Sequence, residues 1–138
     1  MTLLGELFEL GRFASPRKLM AYLGVVPLLD STGDTHRSGP ITKAGNKRAR
    51  RAMIQTAWHY RHGPRIGKLL KKRRAGQPQW AIDIADRAMQ RLCTRYRRLI
   101  ARGKSSQKVV VAIARELAGF LWALFREYHR RNSEAVTC

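Results

Sequence analysis

Acidic residues are scarce. The 138-residue chain has 9 Asp and Glu against 28 Lys and Arg, for a formal charge of +19. A metal-dependent nuclease needs several converging carboxylates to hold its ions, and this sequence does not supply them. Glu6 and Glu9 lie in a short N-terminal segment, and Asp30 and Asp34 flank a serine with no third acid in view. Asp83 and Asp86, one helical turn apart, are expected to pair with Arg87 or Arg91. Cysteine is equally sparse: Cys93 and Cys138 form neither a disulfide framework nor a zinc pattern, which points to a reducing, cytoplasmic setting. His59 and His62 are three apart, but no cysteine or acid nearby completes a metal set, so no metal site is assigned. No apolar run approaches membrane-spanning length, and Glu6 and Glu9 interrupt the only one near the start, so no signal peptide is read. Strand patterning is nearly lacking too, apart from Val25-Val26 and Leu28-Leu29 as short extended pieces, and there is no internal repeat. The expected class is all-α, in a single domain over 1–138.

What the chain has is positive charge along its whole length. Such a field attracts polyanions and speeds encounter with them. Nucleic acid fits it best, with an anionic membrane surface the weaker alternative.

The stretch from Asp30 to Asn46 is almost free of apolar residues and is broken by Gly33, Gly39, Pro40 and Gly45, so it is expected to be a loop. It is rich in hydroxyls and runs into Lys47-Arg48-Ala49-Arg50-Arg51. A glycine-bearing loop emptying into a cationic helix start suits a phosphate ligand. A serine here could attack a phosphate while arginines neutralise the developing charge. The spacing alone does not choose among Ser31, Thr32 and Ser38.

Around this stretch the sequence predicts helices. Ser15-Pro16 caps a helix with Leu19, Met20, Tyr22 and Leu23 on its buried face, and Gly24 stops it. With the turn Gly24-Val25-Val26-Pro27 this resembles half of a helix-hairpin-helix, whose turn amides hold a DNA phosphate. A basic helix follows from Asn46 to about Tyr60, then a short one over Arg65–Ala75. Two longer helices close the chain, Gln79–Ala101 and Ser106 to near Arg131, and their apolar stripes should pack as an antiparallel pair. The aromatics Trp58, Tyr60, Trp80, Tyr96, Phe120 and Trp122 are expected in the core. Residues 1–10 read as the remnant of a preceding linker helix, and 132–138 as a disordered tail.

Several segments in order carry a family resemblance: Arg12-Phe13-Ala14-Ser15-Pro16, Leu19 to Pro27, Ser31-Thr32-Gly33, Arg37 to Asn46, and Ala57-Trp58-His59-Tyr60-Arg61. Arg91-Leu92, Arg95-Tyr96, Ala101-Arg102-Gly103-Lys104 and Ala114 to Phe120 continue it. Together, from about residue 5 to 128, they resemble the C-terminal transposase domain of the IS116/IS110/IS902 insertion-sequence family. Recombinases of that family pair a magnesium-binding, RuvC-like acidic domain with a C-terminal domain whose serine attacks DNA to form a phosphoserine link.

The resemblance implies Ser31 as nucleophile, in a Ser-x-Gly step, with Thr32 and Ser38 as its neighbours. It implies nucleic-acid contacts from Gly24, Val25, Val26, Arg37, Lys43, Lys47, Arg48, Arg50 and Arg51. The implied partners are DNA at the element ends and target, a structured guide RNA, and a homo-oligomer or RuvC-like partner domain, in a bacterial, nucleoid-associated setting without a membrane. The chain departs from the family pattern in lacking the acidic half. It therefore reads as a truncation, a pseudogene product or a separated domain, with no cofactor of its own and magnesium expected only with that half. The rival readings are a non-catalytic basic DNA- or RNA-binding module and a regulatory remnant.

Overall fold

The structure is a computed structural model that describes residues 13–32 and 35–136, with 27–32 and 35–40 described through their backbone. The expected helix at residues 1–10 lies outside it. Helix α1 spans Pro16–Leu23, strands β1 and β2 span Pro27–Thr32 and Thr35–Ile41, and α2 spans Lys47–Ala57. A 3-10 turn over Trp58–Arg61 leads to α3 (Lys68–Arg74), α4 (Gln79–Ala101) and α5 (Ser106–Val136).

The all-α class holds for the body of the molecule, but the serine stretch is not a loop. β1 and β2 form an antiparallel hairpin, with a register shift between Pro27 and Leu29. The segment after the Gly24 turn is therefore a strand, and not the second helix of a helix-hairpin-helix.

The helix ends follow local chemistry. Ser15 Oγ accepts the amide of Lys18 (3.3 Å) and Pro16 sits in the first turn. At the other end Gly24 takes φ +70°, and the amides of Gly24 and Val25 donate to the carbonyls of Ala21 (3.0 Å) and Met20 (3.2 Å). These crossed bonds are a Schellman motif. α4 has the expected bounds, whereas α5 runs past Arg131 to Val136. Its last turns are tied by Arg130 to Glu127 and Glu134, and by Arg131 to Glu127.

α5 is the helix that the others pack against. It lies along α4, as the paired stripes require, and it also contacts α1 and α2. The core joins Leu19, Leu23 and Val25 to Met53 of α2, Leu92 of α4, and Val109, Val110 and Ile113 of α5. Burying each larger side chain contributes about 1.5–3 kcal/mol. Ala114 and Ala118 are fully buried, and Met20 Cε comes within 3.5 Å of where a Cβ on Gly119 would stand. Small residues on α5 thus let the N-terminal helices approach closely.

The aromatics pack against this core as expected, except Trp80, which Arg131 covers at 5.2 Å. Asp86 pairs with Arg74 of α3 (2.7 Å), and Asp83 accepts from Gln79 (2.9 Å), in place of the expected partners Arg87 and Arg91. A glutamine in the first turn of α4 and an arginine of the preceding helix take these carboxylates. Among the described residues no helix is long and apolar enough to cross a membrane.

Candidate nucleic-acid interface and serine hairpin

The hairpin is mounted on the helical body through its root. Five successive carbonyls, Tyr22 to Val26, each meet a different donor. The Tyr22 carbonyl accepts the amide of Asn46 (3.0 Å), Leu23 the Arg50 guanidinium (3.3 Å), and Gly24 the amide of Lys43 (3.2 Å). Val25 accepts Nε of Arg115 (3.1 Å) and Val26 the amide of Thr42 (3.0 Å). Buried backbone groups left unbonded are costly, so this arrangement fixes the turn firmly.

Two glycines make the approach possible. A Cβ on Gly24 would lie 2.2 Å from the Ala44 carbonyl oxygen, and one on Gly45 would lie 1.9 Å from that of Tyr22. Both residues have positive φ, +70° and +95°. Lys43 shares that rare backbone region, with φ 54°. Asn46 completes the joint. Its Oδ1 accepts the amides of Arg48 (3.0 Å) and Ala49 (3.1 Å), capping α2, and its Nδ2 donates to Tyr22 Oη (3.1 Å). Asn46→Ala removes cap and tie together, and a loss of about 2 kcal/mol is expected in the denaturant midpoint.

The residues singled out in the sequence divide into three groups. Ser31 is in β1, where its ladder partner is His36; Thr32 pairs with Thr35, Asp30 with Arg37 and Leu29 with Ser38. Gly24, Val25, Val26, Lys43 and Arg50 meet at the root. The amides of Gly24 and Val25 are engaged in the helix cap, Val25 is fully buried, and Arg50 is half-buried against a carbonyl. Lys47, Arg48 and Arg51 lie exposed on α2, along with Lys43 just before it.

In the sequence Asn46 reads only as a helix start, and Gly45 only as a breaker. Arg115 was missed as a functional residue altogether. Burial, and then the neighbouring Arg95, lower the pKa of Arg115. The available signal was its position: Arg115 and Glu116 are the only charged residues between Lys108 and Arg126. For the hairpin, the overlooked signal was Gly33-Asp34 between two hydroxyl-rich runs. Among the described residues no group of three or more His, Cys, Asp or Glu could hold a metal. The carboxylates of Asp83, Asp86 and Glu116 are engaged with Gln79, with Arg74, and with Arg91 and Arg95.

Residues 1–71 match the family model for the IS116/IS110/IS902 transposases. The chain belongs to this transposase family. It is also 49% identical over 133 residues to a putative transposase, y4qE, of Sinorhizobium fredii (strain NBRC 101917 / NGR234). That match covers 96% of this chain and 34% of the relative, so the chain spans about a third of the transposase it resembles. No solved structure matches it. The family match takes in the whole hairpin and its root, together with α2 and the start of α3.

Proposed function

We propose that this chain is the serine-bearing, DNA-handling part of an insertion-sequence transposase, and that Ser31 is its nucleophile. The observation that carries this reading is the hairpin register, in which Ser31 stands opposite His36 on a rigidly held root. In the proposed step the serine oxygen bonds to a DNA phosphorus and a bond from that phosphorus to a deoxyribose oxygen breaks. The hydroxyl proton must pass to a base, and the departing oxygen must gain one. Arginine cannot serve as that base, because it stays protonated. Histidine changes charge near neutral pH, so the residue type opposite Ser31 suits the task. The exposed Lys43, Lys47, Arg48 and Arg51 would hold backbone phosphates, whereas Arg50 is assigned to support the turn.

By family resemblance, a magnesium-binding acidic domain completes the catalytic assembly, within an oligomer and with element-end and target DNA, and a structured guide RNA, as partners. The chain alone is therefore expected to bind DNA without cutting it, and to form a covalent adduct when an intact RuvC-like domain is supplied in trans. Denaturing electrophoresis of end-labelled DNA with magnesium reads this directly. Ser31→Ala should abolish the adduct while leaving DNA binding in place. An adduct that persists in Ser31→Ala moves the nucleophile to Thr32 or Ser38. Absence of an adduct under every condition favours the rival reading, a basic binding module without chemistry.

A further inference from the structure

The arginines of α4 have no part in the hairpin or its root. From Arg87 to Arg102 this helix and its C-cap carry six arginines and no lysine, and the chain has no acid between Asp86 and Glu116. Four of them, Arg91, Arg95, Arg98 and Arg102, line one open groove of about 460 Å³, together with Gln90 and Thr94. Their spacing of four, three and four residues keeps them on one helix face over about 16 Å. Like charges one turn apart destabilise a helix. A merely solvated face would be expected to interleave acids with these arginines. Among the described residues the acid that meets them is Glu116 of α5, which holds Arg91 and Arg95 (both 3.1 Å) in place without neutralising the row. Nε of Arg95 is shielded from water and has no acceptor.

We propose that this arginine groove is a second nucleic-acid surface, one that binds the phosphodiester backbone. The proposal rests on the reading that the chain handles nucleic acid, and adds a surface beyond the hairpin and α2. One strand of a duplex presents a phosphate about every 3.4 Å of axis, so the row spans about five phosphates. Guanidinium forks match phosphate oxygens in pairs, which suits a row made only of arginine. An acidic protein partner is less well matched, because the groove has only Leu99 as an apolar lining residue and protein interfaces need an apolar, aromatic centre. The acid that holds two of these arginines neighbours a residue of the hairpin root. Glu116 adjoins Arg115, whose guanidinium holds the Val25 carbonyl at the hairpin root.

The test uses the full chain and its Arg98→Gln/Arg102→Gln variant, both checked for an unchanged thermal melt. Binding to a short end-labelled DNA duplex, and to an RNA duplex of the same sequence, is followed by anisotropy over a salt series. Each phosphate that goes unneutralised lowers the log–log salt slope by about 0.9. The variant is expected to lose about two units of slope on at least one duplex, and the duplex that responds identifies the natural source of the backbone. Lys71→Gln/Lys72→Gln, with the same charge removed from exposed positions on α3, should change the slope by less than half as much. An Arg98→Gln/Arg102→Gln slope equal to wild type, or a loss matched by the lysine variant, overturns the proposal but leaves the serine reading intact. No salt-dependent binding by wild type to either duplex overturns both.

Discussion

Gly45→Ala should leave the chain unable to hold its native fold at ordinary temperature. The added methyl carbon would stand 1.9 Å from the Tyr22 carbonyl oxygen and 2.8 Å from its carbon, at a residue with φ +95°. The obstacle is backbone, so no side-chain rotation relieves it. A non-glycine residue in that conformation costs about 1–3 kcal/mol before any clash is counted. Moving the backbone instead breaks the Asn46-to-Tyr22 hydrogen bond and separates α2 from the end of α1. A total of about 4 kcal/mol or more is expected, a large share of a typical domain's stability. Circular dichroism melts would register it, and Gly63→Ala, where the added carbon meets nothing within 4 Å, is the control. A Gly45→Ala melt within a few degrees of wild type would show that the joint between α1 and α2 is looser than described.

Leu92→Ala tests the other seam. Leu92 is fully buried on α4, within the core that includes Ile113, Ala114 and Leu117 of α5. Removing its branched end leaves a cavity between two long helices that cannot easily close in. The expected cost is about 2–5 kcal/mol. Leu117, at 6% exposure, should fall toward the lower part of that range, because it borders the apolar crevice under α3 and its loss is partly absorbed there. Urea midpoints at constant slope measure both. Values near zero for the two would mean that the α4–α5 stripe does not form the core.

The helices were legible because their signals are local. Ser15-Pro16 and Gly24 set both ends of α1 within one turn of chain, and apolar spacing gave α4 its bounds. The hairpin was not legible by the same means. Its strands lack the apolar–polar alternation of a half-buried sheet, and Gly39 and Pro40 argue against a strand on composition alone. A two-stranded ribbon tolerates them because it has open edges and little core to fill. The candidate site was legible as a list of cations but not as roles. Arg48 and Arg51 stay exposed, whereas Arg50, between them, turns to a carbonyl 27 residues back in the chain. Arg115 reaches across 90 residues to do the same. Nothing in a helical period distinguishes such a residue from a solvated neighbour.

The five carbonyls at the hairpin root have a thermodynamic consequence. Their donors come from the linker after β2, from α2 and from α5, so no single segment can release the turn. A hinge needs a few residues that can change conformation at little cost to the rest, and this junction has no such residues. Loosening it means parting helices whose contacts form the core, so the mount of Ser31 and the helical body open and close as one cooperative unit. The orientation of the root from Tyr22 to Val26 is thereby set jointly by α2, by α5 and by the linker between β2 and α2.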